Sequence, residues 1–190
     1  MNKGLAGRIH YGWLVVAAGC LCIFACLGLG RFALGMLLPA MGASLTLTYS
    51  QMGLISTCNF AGYLVAVLLC GRMTALFGAR RLIFLALLLI GASMGLIGLA
   101  RGMVSVSLLY ALTGFGSGAA NVPMMGLAAA WFRSAIRGRA AGFMVIGSGF
   151  AILLSGRLIP WLNALGREGW RLSWLVLGAT VGTIAVVWNR

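Results

Sequence analysis

Five polar side chains lie within stretches of sequence that are otherwise apolar, and they are the residues with which this chain could do chemistry. They are Arg31, Asn59, Tyr63, Asn121 and Arg157. An arginine pairs with carboxylates, while an amide or a phenol can exchange hydrogen bonds with a polar solute. Because a charge is costly to bury in hydrocarbon, each of the two arginines is a candidate functional residue. The set predicts a binding site for a small solute, with an organic anion preferred.

The two arginines also have a purely structural interpretation. Arg31 lies 19 residues after Gly12, and Arg157 lies 18 residues after Arg139. At about 1.5 Å per residue both would sit roughly 27 Å from the cytoplasmic starts of their helices. The similar depth predicts either a pair of cations lining the outer part of a cavity or two side chains that extend to the outer headgroups.

The uncharged candidates allow two interpretations as well. Asn59 and Tyr63 are four residues apart, so they share one face of a helix. Asn121 lies just before Pro123, where a proline removes a backbone hydrogen bond and predicts an irregular helix. Polar groups at such places bind a solute or join one helix to another, and the spacing fits both roles.

Titratable groups are scarce in this chain. The only acid is Glu168, which we expect to pair with the neighbouring Arg167 or Arg171 at the surface, and the only histidine is His10. The five cysteines lie in apolar runs and are predicted to pack as small apolar residues. General acid–base catalysis and metal binding need such groups to converge. We therefore predict no catalytic residues, no metal, no cofactor and no enzymatic activity.

The elements that must position the five candidates are long apolar helices. Of the 190 residues 62% are hydrophobic and 8% are charged, and the mean hydropathy is +1.07. A helix of about 20 apolar residues crosses the hydrocarbon core of a membrane. The pattern predicts an all-α polytopic membrane protein, with six transmembrane helices in one domain over residues 1–190. The predicted spans cover about residues 12–40, 51–71, 82–100, 103–128, 139–161 and 172–188.

The basic residues predict how the helices cross the membrane. A net charge of +13 would suggest nucleic acid as a partner of a soluble protein. Here the basic residues fall one loop at a time, which indicates contact with lipid headgroups and no nucleic acid. With the N-terminus inside, nine basic residues face the cytoplasm: Lys3, Arg8, Arg72, Arg80, Arg81, Arg133, Arg137, Arg139 and Arg190. Three face the other side: Arg101, Arg167 and Arg171. This bias predicts a multi-pass protein of the inner (plasma) membrane with both termini in the cytoplasm.

Short motifs at the ends of the spans resemble those of the major facilitator superfamily. The segment Gly71-Arg-Met-Thr-Ala-Leu-Phe-Gly78-Ala-Arg80-Arg81 resembles the signature loop of that family, G-x-x-x-D-R-x-G-R-R. The matching positions are Gly71, Gly78, Arg80 and Arg81, whereas Ala75 stands where the family has an aspartate. The resemblance implies that this loop acts as a latch between two halves of a transporter.

Further stretches extend the resemblance over the whole chain. The segment Trp131-Phe-Arg-Ser-Ala-Ile-Arg137-Gly138-Arg139-Ala-Ala-Gly142 resembles the family's loop W-F-x-x-x-x-R-G-x-A-x-G between helices four and five. The segment Gly169-Trp170-Arg171-Leu172 resembles the start of helix six. The segment Arg31-Phe-Ala-Leu-Gly35-Met-Leu-Leu-Pro39, with Asn59 and Gly62-Tyr63, is similar to members of the YbfB/YjiJ type.

The resemblance implies a secondary transporter that works by alternating access. Such transporters have two six-helix halves, with the solute bound between them near the middle of the membrane. This chain would be the N-terminal half, and its partners would be the bilayer, a small solute and a second six-helix half. That second half could be a separate chain or another copy of this one. The alternative is a truncated membrane fragment or an interaction module that does not transport.

Overall fold

A computed structural model describes residues 11–166 and 168–189 of the chain. Lys3, Arg8, His10, Arg167 and Arg190 lie outside the described residues. Within them the chain forms six long helices and no strands. The first helix, α1, has three continuous segments, α-helical Tyr11–Ile23, π-helical Phe24–Phe32 and α-helical Ala33–Leu45. The others are α2 Tyr49–Phe77, α3 Ala79–Leu99, α4 Met103–Trp131, α5 Ser134–Asn163 and α6 Gly169–Asn189.

All six helices are long and apolar enough to cross a membrane, which confirms the predicted all-α polytopic fold. Several extend beyond the predicted spans. Local sequence sets some of their ends: Thr48 caps α2 through a reciprocal pair of hydrogen bonds with Gln51, of 2.9 and 3.3 Å. The irregularity predicted at Pro123 is not observed, because α4 is continuous through this residue. The irregular backbone lies in α1 instead.

The helices pack in pairs at glycines, where a missing side chain lets two backbones meet. A Cβ atom at Gly62 of α2 would overlap the carbonyl oxygen of Ala111 in α4 and lie 3.1 Å from the amide nitrogen of Phe115. A Cβ atom at Gly147 of α5 would overlap the carbonyl oxygen of Cys20 in α1 and lie 3.1 Å from the amide nitrogen of Phe24. The α2–α4 and α5–α1 contacts are therefore alike.

The helices α3 and α6 form a third pair that is nearly symmetric in itself. A Cβ atom at Gly91 would lie 3.0 Å from the carbonyl oxygen of Gly178, and one at Gly178 would lie 2.8 Å from that of Gly91. At one end of the pair Arg80 donates a hydrogen bond of 3.1 Å to the carbonyl oxygen of Asn189. At the other end Arg171 donates to the carbonyl oxygen of Gly98 at 3.1 Å. Each helix thus begins with an arginine that binds the carbonyl end of the other.

From the likeness of the α2–α4 and α5–α1 contacts and the reciprocal α3–α6 contact, we infer an approximate internal twofold that relates α1–α3 to α4–α6. The relation exchanges α2 with α5, α1 with α4, and α3 with α6. No repeat of this kind is evident in the sequence. The equivalent positions Gly62 and Gly147 have in common only a glycine at the helix contact, and the residues around these glycines form no common motif.

Candidate functional site

The guanidinium group of Arg31 rests on two aromatic rings of α2. Its Cζ atom lies 4.2 Å from the ring centroid of Phe60 and 4.6 Å from that of Tyr63. At these distances a cation is attracted to the face of an aromatic ring. The side chain is partly buried, and the ring faces replace the carboxylate that a buried arginine would normally require. No acidic side chain of the described residues therefore neutralises the charge of Arg31.

Tyr63 links this arginine to α4. The side-chain amide of Asn121 donates a hydrogen bond of 2.9 Å to the hydroxyl oxygen of Tyr63. The amide oxygen of Asn121 is buried and has no hydrogen-bond partner among the described residues. A free acceptor of this kind needs a donor from a water or a solute. Arg31, Phe60, Tyr63 and Asn121 are called the Arg31 cluster below.

The backbone around Arg31 is tied to α4 by two hydroxyl groups. Tyr110 donates a hydrogen bond of 2.8 Å to the carbonyl oxygen of Arg31. The hydroxyl oxygen of Ser117 lies 2.7 Å from the carbonyl oxygen of Cys26 and 2.9 Å from that of Thr113 in its own helix, and we assign its single hydrogen to the nearer carbonyl group, that of Cys26. Arg31 and Cys26 both belong to the π-helical segment of α1. The segment is thus attached to α4 through its own carbonyl groups.

Asn59 lies outside the Arg31 cluster. Its side chain is 1% exposed, and its amide nitrogen donates a hydrogen bond of 3.0 Å to the carbonyl oxygen of Tyr110. A Cβ atom at Gly114 would overlap the carbonyl oxygen of Asn59, so the two backbones are in direct contact here. This geometry matches the helix-joining interpretation of Asn59. Asn59 and Tyr63 do share the face of α2 that meets α4.

Arg157 is exposed and is not joined to the Arg31 cluster by any hydrogen bond or ion pair within the described residues. A Cβ atom at its neighbour Gly156 would lie 3.9 Å from Cε of Met36. Met36 is five residues beyond Arg31, or about 7 Å along the helix axis. Gly156 thus lies beside the part of α1 that follows Arg31, and the similar depth of the two arginines stays a prediction. The prediction placed the end of α1 near residue 40, whereas the helix continues to Leu45.

The segment resembling the signature loop is almost entirely helical. Gly71 lies inside α2, and only Gly78 turns the chain, with φ +76° and ψ +150°. Arg80 binds the end of α6 as described above, and the indole nitrogen of Trp188 donates a hydrogen bond of 3.2 Å to the carbonyl oxygen of Arg80. Arg81 is exposed. Gly78 is thus the one residue between α2 and α3.

Two residues of this region were not predicted from the sequence. Phe60 is an aromatic residue in an apolar span, which carries no signal by itself. Its position three residues before Tyr63 places it on a neighbouring part of the same helix. Tyr110 likewise has no local motif, and it is recognised only because its hydroxyl group binds another helix.

Other charged and sulfur-containing groups do not converge. In the described part of the chain no three histidine, cysteine or acidic side chains come together at a spacing that could hold a metal ion. Glu168 and Arg171 form an ion pair of 3.5 Å, as the sequence predicts. The Arg31 cluster itself brings together a guanidinium group, two aromatic rings and a side-chain amide.

The fold and the cluster define a multi-pass membrane protein with a partly buried cationic site between its helices. The sequence profile of the Major Facilitator Superfamily matches residues 20–189. The chain belongs to this superfamily, whose members are transporters rather than enzymes.

Individual relatives share moderate sequence identity with the chain. The hexuronate transporter of Bacillus subtilis (strain 168) is 28% identical over 163 residues, which are 85% of this chain and 38% of that protein. The 4-hydroxybenzoate transporter PcaK of Acinetobacter baylyi is 24% identical over 169 residues, 89% of this chain and 36% of that protein. The chain therefore spans less than half the length of the curated relatives it matches.

A solved structure shows the same fold. It is that of a bacterial homolog of the human lysosomal transporter Spinster in an inward-facing and occupied conformation. The TM-score is 0.70 at 17% identity, over 97% of this chain and 44% of the other.

Proposed function

We propose that the chain is the N-terminal half of a secondary transporter that moves a small organic anion by alternating access. The observation that carries this proposal is the environment of Arg31. Its guanidinium is partly buried on two ring faces, and within the described residues it has no carboxylate partner. A carboxylate of a solute would supply the missing counter-charge.

The polar neighbours of Arg31 give the site its second contact. Tyr63 offers a hydroxyl group and Asn121 an unpaired amide oxygen, both suited to a hydroxyl group of the solute. Hexuronate and 4-hydroxybenzoate, after which two relatives are named, each combine a carboxylate with at least one hydroxyl group. We assign Arg31 to the carboxylate, and Tyr63 and Asn121 to the hydroxyl end. In this proposal Asn59 supports the site, and Arg157 attracts anions at the outer mouth.

The remaining parts of the proposal concern the whole transporter. The chain covers 36–40% of the curated relatives' lengths, which leaves room for a second six-helix half. Gly71, Gly78, Arg80 and Arg81 belong to the conformational loop segment, and Arg80 attaches this segment to the end of α6 within the same half. We place the protein in the inner (plasma) membrane with both termini cytoplasmic, and assign it to the YbfB/YjiJ type.

Uptake of matched solutes tests this function. Cells expressing the gene that encodes the chain are supplied with labelled D-glucuronate or D-glucose, and with 4-hydroxybenzoate or 4-hydroxybenzyl alcohol. We expect the uptake of at least one anion to exceed that of its uncharged partner and to saturate. Equal rates within both pairs contradict the preference for an anion. No uptake above that of cells lacking the gene favours the alternative of a non-transporting fragment.

A further inference from the structure

We propose that Tyr110 and Ser117 of α4 are positioning residues that hold the π-helical segment of α1 so that Arg31 faces α2. The observation is the pair of hydrogen bonds from their hydroxyl groups to the carbonyl oxygens of Arg31 and Cys26, of 2.8 and 2.7 Å. The consequence for anion binding rests on the function proposed above, whereas the consequence for the orientation of Arg31 does not.

The spacing of the two hydroxyl groups along α4 allows both of them to reach the π-helical segment of α1. A π helix bonds residues five apart, so a segment of it changes the pairing of backbone carbonyl groups relative to the α-helix on either side. The two hydroxyl groups bind carbonyl oxygens within this segment, those of Arg31 and Cys26. Tyr110 and Ser117 are seven residues apart, about two turns, and so project from the same face of α4. They meet two carbonyl groups of α1 that are five residues apart.

Tyr110 is itself held in place by contacts to α6 and α2. Its side chain is 1% exposed, and its ring meets that of Trp174 in α6 edge to face, with centroids 5.9 Å apart. Its carbonyl oxygen accepts the hydrogen bond from Asn59 of α2. The hydroxyl group that binds Arg31 is thus held by contacts to two further helices. It cannot follow the α1 backbone if that backbone changes its pairing.

Loss of these bonds would let the segment take up α-helical pairing. Each residue of an α-helix advances by about 100° around the axis, so a shift in pairing by one residue turns a side chain to another face. Arg31 would then leave the rings of Phe60 and Tyr63. The two hydroxyl groups therefore determine where the positive charge of α1 points.

The orientation of Arg31 can be measured by NMR without any transport assay. The chain is labelled with ¹⁵Nε-arginine in lipid nanodiscs, and the Arg31 signal is assigned by its loss in Arg31→Lys. The stacked rings should shift its Nε–Hε proton upfield. We expect Tyr110→Phe to move this signal more than halfway to the position of an exposed arginine, and Ser117→Ala to move it in the same direction. Titration with D-glucuronate should then show half-saturation at about five-fold higher concentration in Tyr110→Phe.

Thr113→Val is the matched control. Thr113 lies on α4 between the two positioning residues and is buried. Its hydroxyl group hydrogen-bonds the carbonyl oxygen of Leu109 at 3.1 Å and the hydroxyl of Ser93 at 2.8 Å, and its side chain makes no bond to the π-helical segment. Its backbone carbonyl oxygen lies 2.9 Å from the hydroxyl of Ser117, and Thr113→Val leaves this carbonyl group in place. This variant should leave the Arg31 signal in place.

An unchanged Arg31 signal in both folded variants, or in Ser117→Ala if Tyr110→Phe does not fold, overturns the positioning role. If the Arg31 signal is shifted by the rings and moves in the α4 variants but does not respond to D-glucuronate, the proposed anion function is contradicted. The positioning role of Tyr110 and Ser117 then still stands.

Discussion

The guanidinium of Arg31 lies 4.6 Å from the ring centroid of Tyr63, in a chain whose only acidic residue, Glu168, pairs with a different arginine. The charge of Arg31 is therefore stabilised by ring faces that attract a cation without neutralising it. The hydroxyl oxygen of Tyr63 also accepts a hydrogen bond from the side-chain amide of Asn121. One side chain therefore joins the cation of α1 to a polar group of α4. Removing the hydroxyl group of Tyr63 and removing its ring should therefore have separate effects on anion uptake.

Tyr63→Phe keeps the ring but removes the hydroxyl group that Asn121 binds. We expect half-saturation of anion uptake to rise about three- to ten-fold, because one hydrogen bond is lost and a buried amide is left unpaired. Tyr63→Leu, which also removes the ring face, should raise it further. Tyr49→Phe is the control, since Tyr49 is 91% exposed. Equal kinetics in Tyr63→Phe, Tyr63→Leu and the control would exclude Tyr63 from the site.

Gly78→Ala should destabilise the chain through its backbone alone. The residue has φ +76° and ψ +150°, a region that is essentially limited to glycine, yet an added Cβ atom would meet nothing within 4 Å. The expected cost is about 1–3 kcal/mol, measured as a lower midpoint of thermal unfolding in detergent.

Gly71→Ala is the control from the same signature segment. Gly71 is within α2, and a Cβ atom there would also meet nothing within 4 Å. Alanine is the better helix former by up to about 1 kcal/mol, so this variant should be unchanged or more stable. If Gly71→Ala lowers the unfolding midpoint as much as Gly78→Ala does, the claim that Gly78 alone forms the turn between α2 and α3 is contradicted.

Gly62→Ala and Gly147→Ala should each separate a helix pair. In both cases the new Cβ atom would overlap a backbone carbonyl oxygen, which cannot move aside as a flexible side chain can. Overpacking of this kind costs about 1–3 kcal/mol. Gly53→Ala in α2 and Gly149→Ala in α5 meet nothing within 4 Å and serve as controls. The internal twofold predicts similar losses of stability at Gly62 and Gly147, and a loss at only one of them would argue against it.

Arg171→Gln should weaken the α3–α6 pair. Arg171 donates hydrogen bonds of 3.1 and 2.8 Å to the carbonyl oxygens of Gly98 and Ala100, at the end of α3. Losing charge-assisted bonds to these carbonyl groups should cost about 2 kcal/mol, read from thermal unfolding. Glu168→Gln removes only the ion pair of a side chain that is 72% exposed, and should change little. A larger effect of Glu168→Gln than of Arg171→Gln would contradict this assignment.

The sequence predicts the membrane fold well because hydrocarbon imposes a simple rule on length and polarity. Six apolar runs separated by basic residues could fold only as helices, although the second helix continues beyond its predicted end near residue 71 to Phe77. The sequence also identifies Arg31, Tyr63 and Asn121 individually, since a polar group in an apolar span is unusual.

What the sequence does not predict is which of these residues meet. Arg31 and Arg157 look equivalent by their distance along the chain, but Arg31 is partly buried on the rings of Phe60 and Tyr63, whereas Arg157 is exposed. The π-helical segment has no recognisable motif, because its geometry depends on Tyr110 and Ser117, which are about 80 to 90 residues away in sequence. Phe60 gains a role only from the arginine placed above it. Contacts between distant residues determine these features, and a local pattern cannot encode them.

The central claim is that the charge of Arg31 binds the anion, and saturation kinetics of Arg31→Lys and Arg31→Gln test it most directly. Uptake of the preferred anion is measured in cells expressing each variant at equal membrane abundance. We predict that Arg31→Gln abolishes saturable uptake, while Arg31→Lys, which keeps the charge but loses the flat fork of donors, retains it at higher half-saturation. Unchanged uptake kinetics in Arg31→Gln would contradict the account.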